Sequence, residues 1–214
     1  MSQHSLSQEL QSFRDSLGGE DSTMGALVDT VGDRGFGLLL LILALPAALP
    51  LPAPGYATPF GILMIGLGWQ MLRGRQSPWF PDKVRQRRLS YSLLDFSVRN
   101  GRLPLRFVEL VVRPRLSAMA RNVTFLRIVA LTIILMACSM SLPIPLTNTA
   151  PSFVIFVLAA GIIEEDGLLL VAGMLLAPVA AAIAGLALYT AITMGPEAVE
   201  ETVKPMVKGW LGLT

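Results

Sequence analysis

The sequence holds one cysteine and one histidine in 214 residues. Cys138 has no second thiol to pair with, so no disulfide can form within the chain, and no cysteine–histidine set exists to hold zinc. It lies in an apolar run and reads as a small packing residue. His4, in the polar N-terminal stretch, reads as solvent-exposed. Charged residues are also scarce, at 15% against about a quarter in soluble domains. There is no Gly-rich phosphate loop followed by Lys and Ser/Thr, and no G-x-S-x-G elbow, so nothing suggests an enzyme. No cofactor or metal is expected. The first thirty or so residues are polar, with acids among them, and do not read as a secretory signal peptide. Membrane insertion would then be driven by internal segments.

Apolar residues make up 53% of the chain and fall in long blocks. The first, within 34–74, is too long for one crossing of a core about 30 Å thick. It is interrupted at Pro46, Pro50, Pro52, Pro54 and Pro59, with Gly55 able to take a left-handed conformation. Proline removes a backbone donor and clashes with the preceding turn, so two short arms around a non-helical elbow are expected. The block within 127–167 breaks likewise at Pro143 and Pro145. Residues 168–194 suit one crossing, or two arms hinged at Pro178. Small residues there (Gly173, Ala180, Ala184, Gly185) suit close helix packing and a homodimer. Residues 1–33 form a lead-in with an apolar stripe of Leu6, Leu10, Phe13 and Leu17. A second short helix capped by Ser22 or Thr23 reaches Val31. Residues 195–214 read as an interfacial tail.

Between Arg73 and Arg127 lie thirteen of the seventeen basic residues and three acids. Apolar blocks flank this region on both sides, so the positive-inside rule explains it better than nucleic-acid binding. Within 75–126, Arg85, Arg87, Arg88, Arg106, Arg113 and Arg115 are expected on amphipathic helices along the membrane surface, facing anionic headgroups.

Shifting the chain by 93 residues superposes 34–74 on 127–167 with eleven identities in 41 positions. Arg34 falls on Arg127, Pro50 on Pro143, Pro52 on Pro145, Gly68 on Gly161 and Gly74 on Gly167. Gly55 falls on Asn148, and both residue types tolerate positive φ. Each copy thus reads as arginine, helix, Pro-x-Pro break, left-handed residue and returning helix, with Thr58-Pro59 as N-cap and first helical residue. Such elbows line ion or substrate paths in repeat-built transporters; they also occur as tight turns outside the lipid. Both hairpins entering from one face is the simpler topology, because the intervening arginines oppose a crossing. Glu164, Glu165 and Asp166, before Gly167, are either a solvated turn or carboxylates on a proton or cation path. Asp166 aligns with Arg73, which would allow a salt bridge between copies or across a dimer. Arg34 and Arg127 are either snorkelling anchors or guanidiniums reaching acids of the opposite hairpin or an anionic sugar or phosphate.

The stretches DRGFGLLLLILALPAALPLPAPG, SPWFP, LPIPLTNTAP and GIIEEDGLLLVAG resemble the ExoD family of bacterial exopolysaccharide-synthesis proteins, over roughly residues 20–195. The resemblance implies a protein of the bacterial cytoplasmic (inner) membrane linked to exopolysaccharide production; the apolar blocks make it multi-pass, and polysaccharide-assembly proteins are the partners that a scaffold role would require. It brings no catalytic residues. The expected fold is all-α and polytopic: two repeated proline-broken hairpins plus interfacial helices. Candidate pathway residues are Arg34, Pro50, Pro52, Gly55, Arg127, Pro143, Pro145, Asn148, Glu164 and Asp166. A transporter-like role in exopolysaccharide synthesis or export is expected, with a non-catalytic membrane scaffold as the alternative.

Overall fold

The computed structural model describes residues 12, 15–18, 21–48, 57–89, 115–141 and 148–194. Pro50, Pro52, Gly55, Pro143, Pro145, Arg106, Arg113, most of the N-terminal stripe and the tail lie outside them. Among the described residues the chain is mostly helical: α1 Met24–Val31, a 3-10 turn Gly32–Arg34, α2 Gly35–Ala48, α3 Ala57–Leu72, α4 Asp82–Arg85, α5 Ser117–Ala120, α6 Val123–Met140, α7 Thr149–Ile163 and α8 Gly167–Met194. A two-residue antiparallel ribbon joins β1 Ser22–Thr23 to β2 Arg88–Leu89. The all-α expectation did not include it.

Local chemistry sets the helix ends. The Thr23 hydroxyl accepts from Ala26 N–H and caps α1. Asn122 Oδ1 accepts from Thr124 and Phe125 N–H, so α6 begins at Val123 and Arg127 falls inside the helix rather than at its entrance. α2 continues past Pro46 to Ala48, so Pro46 does not end the first arm. α8 runs unbroken through Pro178. The two-arm alternative for 168–194 is therefore corrected: one missing hydrogen bond does not stop a helix supported by α7 along its first half.

The arms pair crosswise. α2 packs chiefly on α7 and α3 chiefly on α6, each more extensively than on the other arm of its own hairpin; α8 lies along α7. Small residues permit this. A Cβ on Gly37 would stand 2.7 Å from Ile163 Cγ1 and 2.9 Å from the Ala159 carbonyl oxygen, and one on Gly68 2.8 Å from Ile134 Cγ1 and 3.4 Å from the Ala130 oxygen. The 93-residue shift carries Gly37 onto Ala130 and Gly68 onto Gly161, which lies between Ala159 and Ile163. The two contacts are thus the same contact made twice.

One end of the bundle gathers the starts of α2, α6 and α8 with the ends of α3 and α7. Gly35 meets Pro78 there, Gly37 meets Ile163, and Gly74 meets Arg127. The opposite end carries the ends of α2 and α6 and the starts of α3 and α7, where the Thr58 hydroxyl donates to the Ser141 carbonyl at 3.1 Å.

Leu40, Met64, Ile133, Ile155, Leu158 and Leu170 are buried among the helices. Ile42, Ile62, Leu63, Leu131, Leu135, Phe153, Leu175 and Ile192 are exposed on its outside. In water each such side chain would forgo about 1.5–3 kcal/mol of burial, and soluble monomers rarely expose apolar patches beyond a few hundred Å². α6 and α8 are long and apolar enough to cross a membrane by length and composition, and only 33% of each apolar window is buried. A helix that is apolar on all sides yet mostly uncovered suits lipid, not a soluble core.

Candidate functional site

At the basic end the two returning helices stop in the same way. Arg75 N–H donates to the Gln70 carbonyl and Gly74 N–H to Met71, with Gly74 at φ +79°. Asp166 N–H donates to Gly161 and Glu165 N–H to Ile162, with Glu165 at φ +50°. Both are Schellman caps. The structural counterpart of Gly74 is therefore Glu165, two residues before the Gly167 that the ungapped alignment assigns. A glutamate in the left-handed region costs about 1–2 kcal/mol. Arg121 offsets part of this, its Nε 2.8 Å from Glu165 Oε2, though the pair is partly exposed.

Asp166, 5% exposed, turns inward: its Oδ1 accepts from Leu168 N–H at 2.9 Å and Leu169 N–H at 3.2 Å. It caps α8 and does not pair with Arg73. Its negative charge also sits against the positive end of the α8 dipole. Asp166→Ala should lower stability by about 1–2 kcal/mol, seen as a lower melting temperature in detergent. Asp166→Asn, which keeps the acceptor oxygen, should recover most of that loss. Glu164 is half-buried at the end of α7, with Oε1 sealed from solvent.

Arg34 is half-buried in the 3-10 turn before α2. Arg127 is exposed on α6, and a terminal guanidinium nitrogen lies 3.2 Å from where a Gly74 Cβ would be. It reaches the opposite hairpin, as one alternative required, but meets a glycine turn, not an acid. Arg85 is held by Asp29 at 2.7 and 2.9 Å, which fastens α1 to α4, so it points to a carboxylate within the protein. Arg87, Arg88 and Arg115 are exposed.

At the elbow end Asn148 is right-handed, at φ −93° and ψ −44°. The left-handed expectation is corrected: its carbonyl accepts from Ser152 N–H at 3.0 Å and from the Ser152 hydroxyl at 2.5 Å, so it already belongs to the first turn of α7. Thr58 likewise lies inside α3 and donates across to α6 instead of capping its own helix. Ser152 is fully buried, and the Ser141 hydroxyl donates to Ala137 at 2.8 Å. The ends of α2 and α6 and the starts of α3 and α7 lie at this end, so helix-dipole ends of both signs are gathered there. The sequence pattern does not single out Arg121, Ser141 or Ser152; it does single out Thr58, through Pro59, but as a cap.

The family model "Exopolysaccharide synthesis, ExoD" matches residues 6–186, spanning every element described above except the last turns of α8. The chain belongs to the ExoD family. A protein of Synechocystis sp. (strain ATCC 27184 / PCC 6803 / Kazusa), named as uncharacterized, is 37% identical over 172 residues, covering 79% of this chain and 81% of the relative. Protein ExoD of Rhizobium meliloti (strain 1021) is 33% identical over 175 residues, covering 80% of this chain and 72% of that protein. No solved structure matches. Membership of the ExoD family points to a part in exopolysaccharide synthesis, and with the two long apolar helices it points to a membrane protein.

Proposed function

We propose that this ExoD-family chain is a multi-pass protein of the bacterial inner membrane that acts in exopolysaccharide synthesis or export in a transporter-like way, through two hairpins repeated in parallel. The observation that carries this reading is the crosswise pairing of arms. It makes the Gly37 and Gly68 contacts equivalent and brings the ends of α2 and α6 and the starts of α3 and α7 to one end of the bundle. α2, α3 and α7 have 14, 16 and 15 residues, or about 21–24 Å at 1.5 Å per residue, short of a core about 30 Å thick. If they begin at the basic face, these helices end within the far half of the membrane. Non-helical backbone at that depth must be covered by protein or line a wet cavity. The positive-inside rule places the arginine-rich end in the cytoplasm.

Reconstitution in liposomes tests this, with proton, cation and oligosaccharide flux scored together. Alanine at Arg34, Arg127, Asn148, Glu164 and Asp166, one at a time, should reduce flux, and polymer output in cells, at more than one position. Full activity in all five variants would remove the transporter-like reading. The alternative, a scaffold for polysaccharide-assembly proteins, draws on the exposed Arg87, Arg88 and Arg115. It expects polymer loss on changing those arginines, with the hairpins tolerant.

A further inference from the structure

The two Schellman turns share a backbone but differ in charge. The turn of the second hairpin is acidic and internally satisfied: Glu165 pairs with Arg121, and Asp166 caps α8. The turn of the first is wholly basic. Arg73 and Arg75 flank Gly74, and Arg127 reaches it from α6. All three guanidiniums are exposed, and among the described residues none lies within ion-pair distance of a carboxylate. Two are steadied by indoles instead: Arg73 Cζ lies 5.2 Å from the Trp69 ring centre and Arg75 Cζ 5.7 Å from that of Trp79. Gln70 Oε1 accepts from Trp79 N–H at 2.6 Å and ties that loop to α3. Three arginines thus lie at one turn with no anion supplied by the described residues.

We propose that this turn is a binding site for the phosphate of an anionic phospholipid. Guanidiniums present forked donors that match phosphate oxygens, and basic pockets between helices on the cytoplasmic side take anionic headgroups. Trp69 and Trp79 are about half exposed, at 51% and 52%, and indoles prefer the headgroup level of a bilayer. That places the source of the phosphate in the membrane rather than in free solution. Gly74 serves the site twice. It holds the left-handed turn, and its missing side chain leaves Arg127 room to approach.

The inference rests on the membrane reading, and the test separates the two. The full chain in neutral detergent is melted with phosphatidylglycerol, phosphatidylcholine or inorganic phosphate. Phosphatidylglycerol at about ten times its dissociation constant should raise the melting temperature by about 3–6 °C; the other two should not. The triple variant Arg73→Gln/Arg75→Gln/Arg127→Gln should lose most of that rise, and Arg121→Gln/Glu165→Gln, at the other turn, should keep it. An equal rise with inorganic phosphate, or an undiminished rise in the triple variant, would overturn the proposal. If the triple variant does not fold, photoactivatable phosphatidylglycerol on the unaltered protein decides: labelling concentrated at residues 69–79 and around 127 supports the site, and labelling elsewhere overturns it. Recovery of the chain in the aqueous phase of a detergent phase separation would sink the membrane reading and this proposal together. Recovery in the detergent phase without headgroup preference would sink only this one.

Discussion

Gly37→Leu should abolish recovery of folded, monodisperse protein, whereas Gly66→Ala should leave recovery unchanged. A Cβ at Gly37 meets the Ala159 carbonyl oxygen at 2.9 Å and Ile163 Cγ1 at 2.7 Å. The first of these is backbone and cannot swing aside. Overpacking a tight contact costs about 1–3 kcal/mol, and leucine brings three further carbons into a gap already closed to the first. The loss should exceed that range, because α2 and α7 are each other's main partners. Gly68→Leu should be milder, because its nearest obstacle is the Ile134 side chain. Gly66 has nothing within 4 Å of an added Cβ, and alanine there should gain about 0.5–1 kcal/mol of helix propensity. Size-exclusion profiles and melting curves in one detergent give the comparison. A Gly37→Leu protein that behaves like the unaltered chain would mean that α2 does not lie on α7.

That interface shows where the sequence stopped being informative. The approximate lengths of the arms are legible in the proline interruptions, and the α1 cap in the pair Ser22 and Thr23, of which the structure uses Thr23, because both depend on residues close in the chain. The 93-residue shift showed that two segments are alike but not which arm touches which, since pairing within a hairpin and across hairpins leave the same pattern. Gly37, Gly61 and Gly68 hold the relevant signal, yet as single glycines in apolar runs they do not mark a packing face as the dense small residues of 168–194 do. The expected left-handed residue is Asn148, a type that tolerates that conformation; the structure instead has one at Glu165, at the other end of α7, where the helix end and Arg121 hold it. Pro178 looked like a hinge because proline breaks isolated helices, and the packing of α8 on α7 overrides that. The ribbon between Ser22–Thr23 and Arg88–Leu89 joins segments too short and too far apart in sequence to carry a strand pattern.

The second large effect is expected from a reversible lock between α3 and α6. A Cβ at Gly61 would lie 3.3 Å from Ser141 Cβ, a little inside the 3.5–4.5 Å of native disulfides. With the exposed Cys138 first replaced by serine, Gly61→Cys/Ser141→Cys should form a disulfide that fastens α3 of one hairpin to α6 of the other. The Ala137 carbonyl, 3.0 Å from the same point, makes some local adjustment necessary, so each single cysteine serves as the control for strain. If transport proceeds by one repeat rocking against the other, as in repeat-built carriers, polymer output and flux should fall at least tenfold on oxidation. They should return on reduction, while both singles stay active throughout. A scaffold works through its surface and has no need for the hairpins to part, so it would stay active when locked. The lock therefore separates the two readings at one position, without requiring the transported molecule to be known. Full activity in a protein whose crosslink is verified by mass would leave the hairpins as a rigid support and move the search for function to the basic face.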